Sequence, residues 1–438
     1  MKNKRKIIND PVFGFINIPN EFLYDIIQHR FFQRLHRIKQ LGVTGYVYPG
    51  AQHTRMQHSL GALYLTSEAV KELRSKGHEI TEEEANGVMA AILLHDIGHG
   101  PYSHVLENTI IQGVSHEQIS LLLMQKINNE MGGKLDLAIK IFQNRYHKKF
   151  LHQLVSSQLD MDRLDYLRRD SFFTGVVEGN IGSARIIKML DVADDNLVIE
   201  QKGVHSIENY LMARRFMYWQ VYLHKTSIAT EIMLIKILER AKFLHSSLPL
   251  TKGEETETNN VRENIAISHT PSPHKWREQG RAVFATPSLS FFLSNNINAE
   301  NFCENPDVLE HFVNIDDSDI ISAIKVWTNH SDKVLSILCK NFVNRVLFKT
   351  LEQAPMTEKQ KQDLQKKYSE ILGINLDETV FFFSEQTLSS NTYEVKDDKI
   401  FIQFTNGAIR DIAEVSDILN PAILNRYVQK HLLCYLKI

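Results

Sequence analysis

The sequence predicts a mainly α-helical protein with a short N-terminal hairpin and a small C-terminal α+β appendage. Apolar residues recur at helical spacing through most of residues 20–245. Turn residues divide a strand-like stretch at residues 7–18, and β-forming residues cluster after about residue 375. The chain has 438 residues, 43% of them hydrophobic, which is enough to bury a large core.

The first element is a hairpin, because Asn9-Asp10-Pro11 and Gly14 supply turn chemistry between two apolar runs. A helix is then expected from about Asn20 to Gly42, where the glycine is placed to end it. Its buried face would consist of apolar residues at helical spacing, namely Phe22, Ile26, Ile27, Phe31, Leu35, Ile38 and Leu41.

Amphipathic helices are expected to follow through the rest of the first half of the chain. One covers residues 57–75, and the next begins at Thr81, which forms a capping box with Glu84, and reaches His95. Further helical patterns cover residues 116–131, 150–170 and, as one long helix, 206–245.

These patterns divide the chain into four parts. We expect a helical core with its hairpin, a polar insert of loop or disordered composition, a helical extension and a small α+β subdomain. Their expected bounds are residues 1–245, 246–290, 291–374 and 375–438. The basic residues of the insert fit either a solvated loop or an element that binds a nucleic-acid strand.

Charge and cysteine content narrow the class of protein. Fifty Lys and Arg residues balance 52 Asp and Glu residues, which gives no whole-chain indication of nucleic-acid binding. Three widely spaced cysteines form neither a disulfide framework nor a zinc ribbon. No apolar segment has the length of a signal peptide or a bilayer span. A cytoplasmic protein without membrane contact is therefore expected.

The segment L-L-H-D-I-G-H-G-P-Y-S-H at residues 93–104 carries the most specific chemical signal. His95 and Asp96 are adjacent where a helix ends, so an imidazole and a carboxylate can reach one cation. A His-Asp pair alone is more often structural. Here His58 lies on an earlier helical pattern and Asp162 on a later one, and bundled helices can bring such ligands together. We predict that these four residues hold a metal ion.

A wider set of motifs carries a family resemblance. It includes Q-R-L at 33–35, I-K-Q-L-G at 38–42, H-S-L-G at 58–61, H-D-I-G-H-G-P-Y-S-H at 95–104, D-R-L-D-Y at 162–166 and Y-L-H-K at 222–225. With these motifs the chain resembles the HD-domain deoxynucleoside triphosphate triphosphohydrolases, including the type that joins a sterile alpha motif to an HD domain. The resemblance is dense over about residues 5–245.

The resemblance implies an HD helical bundle that hydrolyses a dNTP at the α-phosphorus, giving a deoxynucleoside and inorganic triphosphate. One divalent metal ion is expected, with Fe, Mn, Zn, Ni and Mg all open, and Mg²⁺ can accompany the nucleotide. His104 would donate a proton to the leaving 5′ oxygen, with Glu107 orienting it. His99 and His116 would contact phosphates or the catalytic water. Each of these histidines also fits a structural role.

The resemblance also assigns residues to the substrate. Those expected at the triphosphate, sugar and base are Arg55, Arg163, Tyr166, Asp170, Tyr222, Gln40, Leu41 and His224. Arg163 stands where the family usually has a lysine, so the charge is kept and the geometry changes. Asp170 would read the 3′-hydroxyl, and Tyr222 beneath the sugar would exclude a ribose 2′-hydroxyl. Core packing is the alternative for Leu41 and Tyr222.

Regulation by a nucleotide is a further implication of the resemblance. Lys6, Ile7, Asn9 and Arg345 keep part of the pattern that binds an activating guanine nucleotide between subunits. Gln28 and His36 depart from it, which argues against strict guanine-triphosphate activation. We therefore expect a homo-oligomer, between a dimer and a tetramer or hexamer, with a different regulatory nucleotide or none.

Two other functions are compatible with the sequence. One is an HD phosphodiesterase or nucleotidase that acts on another phosphate ester, since a fold does not decide a substrate. The other is a nucleotide-binding or single-stranded-DNA-binding protein with a vestigial site. The motifs beyond the HD pair argue against the first alternative, and the complete H…HD…D set with the His104–Glu107 pair argues against the second.

Overall fold

The fold is mainly α-helical, as predicted. The computed structural model describes residues 6–102, 104–107, 109, 111, 113–246, 283–390, 399–418 and 428–438. The helices of the first half span Glu21–Gln28, Arg30–Gln33, Arg55–Ser75, Glu82–Leu94, His104–Glu107, His116–Glu130, Asp136–Phe142, Lys149–Gln153, Met161–Thr174, Ser183–Lys188, Val204–Met217 and Lys225–Ser246. Those of the second half span Pro287–Ser294, Ala299–Glu304, Pro306–Val313, Asp317–Trp327, Lys333–Val343, Glu358–Leu372 and Ile412–Val415.

The strands form three small sheets. Lys6–Asp10 and Gly14–Ile18 make the predicted N-terminal hairpin. A four-stranded sheet has the order Leu190–Ala193, Asn196–Glu200, Phe401–Gln403 and Ile409–Asp411. A three-stranded antiparallel sheet has the order Lys349–Glu352, Val428–Tyr435 and Phe383–Ser390.

The C-terminal strands are built onto earlier parts of the chain. Phe401–Gln403 pairs in parallel with Asn196–Glu200, so the expected appendage shares a sheet with the helical core. The hairpin that holds Asn196–Glu200 was missed in the sequence. Its signal is Asp194-Asp195, where both residues adopt positive φ (50° and 61°), as a tight hairpin turn requires.

The three helices that matter for the site pack against one another in the core. The helix Arg55–Ser75 contacts both Glu82–Leu94 and Met161–Thr174. Its N-terminus has a capping box between Thr54 and Gln57, and the predicted capping box of Thr81 and Glu84 opens the second helix. The side chain of Asp160 caps the third helix. The caps therefore set where each metal-site helix begins.

The prediction of one continuous helix from Asn20 to Gly42 is wrong, because the helix breaks at His29. The backbone is extended at His29 (ψ 138°), and the chain continues as Arg30–Gln33 and a 3₁₀ turn at Arg34–Arg37. The apolar residues of the predicted face are still mostly buried. The break lets the buried Arg34 donate to the carbonyl oxygens of Ile97 and His99, at 3.0 and 2.9 Å.

The long helix predicted at residues 206–245 is interrupted. Val204–Met217 runs into a π-helical turn at Tyr218–Tyr222, and Lys225–Ser246 follows. Such wide turns change the direction in which side chains project and often occur at functional sites. Here the turn carries Tyr218 and Tyr222 to the wall of a cavity.

The predicted polar insert falls mostly on residues 247–282, which lie outside the described residues. The last four residues of the predicted insert, 287–290, are helical and belong to the helix Pro287–Ser294. A proline at the first position of that helix is a common way for a helix to begin. The four predicted domain bounds stay predictions. Within the described ranges, no helix is long and apolar enough to cross a membrane.

Candidate metal centre

Three helices bring His58, His95 and Asp162 together, with one potential ligand atom of each within 4.8 Å of the others. His58 Nε2 lies 3.4 Å from His95 Nε2 and 3.1 Å from Asp162 Oδ1. His95 Nε2 lies 3.4 Å from the same carboxylate oxygen. Two imidazole nitrogens and a carboxylate oxygen facing one another are a typical donor set for a divalent transition metal.

The outer nitrogens of both imidazoles are tied in a way that aims Nε2 at this cluster. His58 Nδ1 lies 2.7 Å from Asp165 Oδ2, and both side chains are fully buried. His95 Nδ1 lies 2.6 Å from the carbonyl oxygen of Ile92. Since a carbonyl oxygen only accepts, His95 Nδ1 carries the proton and leaves Nε2 as a ligand. Sequence reasoning missed Asp165, although it stands one helical turn after Asp162.

Asp96 borders the three-residue cluster. Its carboxylate lies 3.4 Å from His95 Nε2 and 3.7 Å from His58 Nε2. Arg55 Nη1 donates to Asp96 Oδ2 at 2.6 Å, and His99 Nε2 lies 3.3 Å from Oδ1. Asp96 therefore joins the metal cluster to the arginine predicted to bind phosphate.

The protonation behaviour of the cluster shows that it attracts positive charge. Burial lowers the pKa of His58, but hydrogen bonds with Asp162 and Asp165 outweigh it and raise the pKa to about 10. The pKa of His95 is raised in the same way against burial, mainly by the charge of Asp96. The pKa of Asp162 lies far below its usual range despite burial, because both histidines bond to it. A metal cation satisfies the same charge demand as these protons, so the residues fit a metal ion.

Of the four remaining predicted catalytic residues, His99 and His116 have described side chains. The rings of His99 and His116 stack with centroids 3.9 Å apart. Burial and the charge of Arg55 lower the pKa of His99 to about 3. The side chains of His104 and Glu107 lie outside the described part of the structure, so their predicted proton-transfer role stays a prediction.

A cavity of about 520 Å³ is lined by Arg55 but by none of the four predicted metal ligands. It brings together six of the eight predicted substrate residues, namely Gln40, Leu41, Arg55, Tyr166, Asp170 and Tyr222. Its other walls include Tyr218, Glu231 and Gln386, which the sequence did not single out. The last comes from the C-terminal strand Phe383–Ser390, and local sequence has no signal for such a long-range approach.

Two predicted substrate residues do not line this cavity. Arg163 forms an ion pair with Asp160, its helix cap, in the described structure. His224 packs edge-on against Tyr48, with ring centroids 6.0 Å apart, and its Nδ1 accepts from the backbone of Thr226. Their contact with a substrate stays a prediction.

Glycines beside the ligands serve helix packing. A Cβ at Gly61 would come within 1.9 Å of Asp165 Oδ1, so only glycine lets the helices of His58 and Asp162 approach so closely. A Cβ at Gly98 would come within 2.2 Å of the carbonyl oxygen of His116. The space beside Gly98 is therefore taken by the helix His116–Glu130.

Comparisons with known proteins agree with this architecture. The HD domain matches residues 55–170, and the HD associated region matches residues 181–247. A crystal structure of a phosphohydrolase from Bacteroides thetaiotaomicron superposes with a TM-score of 0.90 at 57% identity, covering 99% of this chain and 100% of that one. The uncharacterized protein YwfO of Bacillus subtilis is 31% identical over 99% of this chain and 94% of its own length.

Vertebrate relatives match a shorter region. The human deoxynucleoside triphosphate triphosphohydrolase SAMHD1 is 31% identical over 52% of this chain and 43% of its own length. This chain therefore spans less than half of that protein. The likeness therefore extends to the aligned segment and not to the remainder of the human protein.

Proposed function

The chain belongs to the HD-domain family of metal-dependent phosphohydrolases, and we propose that it hydrolyses deoxynucleoside triphosphates at the α-phosphorus to deoxynucleoside and inorganic triphosphate. One observation carries the proposal: Arg55 contacts the metal cluster through Asp96 and also lines the adjoining cavity. A phosphorylated ligand in that cavity would meet positive charge at one end. The similarity to the human deoxynucleoside triphosphate triphosphohydrolase SAMHD1 supports the choice of substrate.

The phosphate end of the site follows from charge. His58, His95, Asp96 and Asp162 would hold the metal ion. When bound, it supplies Lewis acidity toward a phosphate oxygen and lowers the pKa of a coordinated water. Arg55 lies beside it and can bind phosphate oxygens through its planar guanidinium group.

The other end of the cavity suits a deoxynucleoside. Leu41 and Tyr222 provide apolar surface, and Asp170 provides a carboxylate that accepts a sugar hydroxyl. Gln40 also lines this cavity. In this arrangement Tyr222 packs beneath the sugar and leaves no space for a ribose 2′-hydroxyl. Proton transfer to the leaving oxygen is assigned to His104, oriented by Glu107.

Product analysis tests the proposal. The purified protein is incubated with each dNTP and with Fe, Mn, Zn, Ni or Mg, and the released phosphate species are separated. Triphosphate is the expected product. Pyrophosphate or single phosphate would instead support a phosphodiesterase or nucleotidase, and nucleotide binding without a product would support a binding protein.

Matched variants identify the site responsible. His95→Ala removes a ligand nitrogen and is expected to abolish triphosphate release. His78→Ala removes a half-buried histidine that pairs with Asp191 away from the metal cluster, and is expected to leave it unchanged. Equal activity of the two variants would contradict the assignment of the metal site.

The partners we propose are the dNTP, a regulatory nucleotide and further copies of the chain. In the described structure Lys6 lies over the ring of Tyr24, while Gln28 and His36 are exposed. Arg345 donates to the carbonyl oxygen of Tyr46. Light scattering with and without each nucleotide tests this: a nucleotide-dependent increase in mass supports it, and a constant monomer mass contradicts it.

A further inference from the structure

We infer that His53 is a positioning residue that prepares Asp170 to receive a sugar hydroxyl, an inference that rests on the proposed function. His53 Nε2 lies 2.7 Å from Asp170 Oδ1, and their side chains are 0% and 1% exposed. Asp170 lines the cavity, but His53 does not. His53 therefore acts on a ligand only through the carboxylate.

The ring of His53 is fixed from a second side. It stacks on Phe173, with centroids 4.5 Å apart and planes 16° apart. Within the described residues, His53 Nδ1 is buried without a hydrogen-bond partner. Such a group costs stability, so its presence in a core position needs an explanation. The contact with Asp170 provides one.

The direction of the hydrogen bonds follows from the acceptor. An ionised carboxylate only accepts, so His53 donates from Nε2. Tyr222 donates its hydroxyl to the other oxygen, Asp170 Oδ2, at 2.8 Å. Each oxygen of the Asp170 carboxylate therefore accepts one hydrogen bond, and the carboxylate cannot rotate without breaking both.

The consequence is a cavity edge that offers acceptors. The remaining lone pairs of Asp170 and the hydroxyl oxygen of Tyr222 can accept, while the Tyr222 proton is already committed to Asp170. A ligand must bring a donor to this edge. The 3′-hydroxyl of a deoxynucleotide is such a donor, and a 3′-deoxy analogue leaves a buried carboxylate without its last partner.

Discrimination between two substrates tests the role of His53. The values of kcat/KM are measured for a dNTP and its 2′,3′-dideoxy counterpart with wild type, His53→Leu and His53→Gln. Wild type is expected to prefer the 3′-hydroxyl substrate, and His53→Leu is expected to reduce that preference by about tenfold. His53→Gln is expected to restore part of it, because its amide can donate to Asp170. The control His152→Leu alters a histidine that bonds the carbonyl oxygen of Ile141 instead.

The outcomes separate a positioning role from a structural one. If His53→Leu lowers kcat/KM equally for both substrates, or leaves the ratio at the wild-type value, the inference is overturned. If His53→Leu does not fold, the same ratio is measured with His53→Met, which also lacks a donor to Asp170. A reduced preference there supports positioning, and a wild-type ratio overturns the inference.

Binding without chemistry separates this inference from the proposed function. The affinities of a 2′-deoxynucleoside and its 2′,3′-dideoxy form are measured by calorimetry. If wild type releases no triphosphate but binds the 3′-hydroxyl form more tightly, and His53→Leu or His53→Met weakens that difference, the proposed function fails and the role of His53 stands. Equal binding of both nucleosides by wild type overturns the role of His53.

Discussion

Replacing Asp165 by Asn tests whether the anchored orientation of His58 supports metal binding. The carboxylate holds His58 Nδ1 at 2.7 Å in a fully buried position, and it also accepts from Arg169 Nε at 2.9 Å. Asn keeps the shape but removes the charge that polarises the imidazole. Loss of such an outer partner typically weakens metal affinity by about 10–100-fold, or about 1.4–2.7 kcal/mol.

The same substitution has a second, separable effect on stability. Arg169 would lose one of its two buried carboxylates and keep Asp10, which lies 2.8 Å from its Nη1. We therefore expect a loss near the lower end of the range for a broken buried ion pair, about 3 kcal/mol. Thermal unfolding in a chelator measures this loss without the contribution of the metal.

Competition with a chelating dye measures the metal affinity itself. Asp191→Asn is the matched control, because Asp191 also binds a histidine, His78, at 2.5 Å but outside the cluster. Asp165→Asn is expected to lower the affinity and to reduce the rise in Tm on adding metal. If both variants bind metal as tightly as wild type, the reasoning about the orientation of His58 is refuted.

Three further predictions concern stability. Gly61→Ala places a Cβ within 1.9 Å of a buried carboxylate oxygen and should lower the free energy of unfolding by about 1–3 kcal/mol in denaturant titrations. Gly182→Ala, whose Cβ would lie 3.9 Å from Arg185 Cβ, should change it little, and equal effects of the two variants would contradict the packing argument. Arg34→Met leaves buried carbonyl oxygens without a donor and should lower the free energy of unfolding by about 1–3 kcal/mol. Arg30→Met removes an exposed ion pair with Glu310 and should lower it by less than about 1 kcal/mol; the reverse order would show that the buried cation is dispensable. Burial raises the pKa of Asp317 to about 6 from an ordinary value of 3.8, so its contribution to stability is greatest below pH 4 and is lost as pH rises through 6. In thermal melts, the Tm of Asp317→Asn relative to wild type should therefore be higher at pH 7.5 than at pH 4.5. A Tm difference that is the same at both pH values would contradict this.

Much of the metal site could be predicted from the sequence because its signals are local. Adjacent His95 and Asp96 at a helix end, and His58 and Asp162 within amphipathic patterns, identify donors whatever the packing. The structure places three of them in one tight group with the fourth at its border. Asp165 escaped notice because nothing in a helical sequence distinguishes an acid that orients a ligand from an ordinary surface acid.

The sequence by itself determined the helical class, the N-terminal hairpin and the chemistry of the donor set, since periodicity, turn residues and side-chain type act over a few neighbouring residues. Tertiary structure alone decided where the helix after Asn20 breaks, how the π-helical turn aims Tyr222, and that His53 reaches Asp170 across 117 positions. These features depend on which distant groups need a hydrogen-bond partner or the same space in the core. Local sequence patterns do not indicate which of these distant residues will come into contact, so only the tertiary structure shows it.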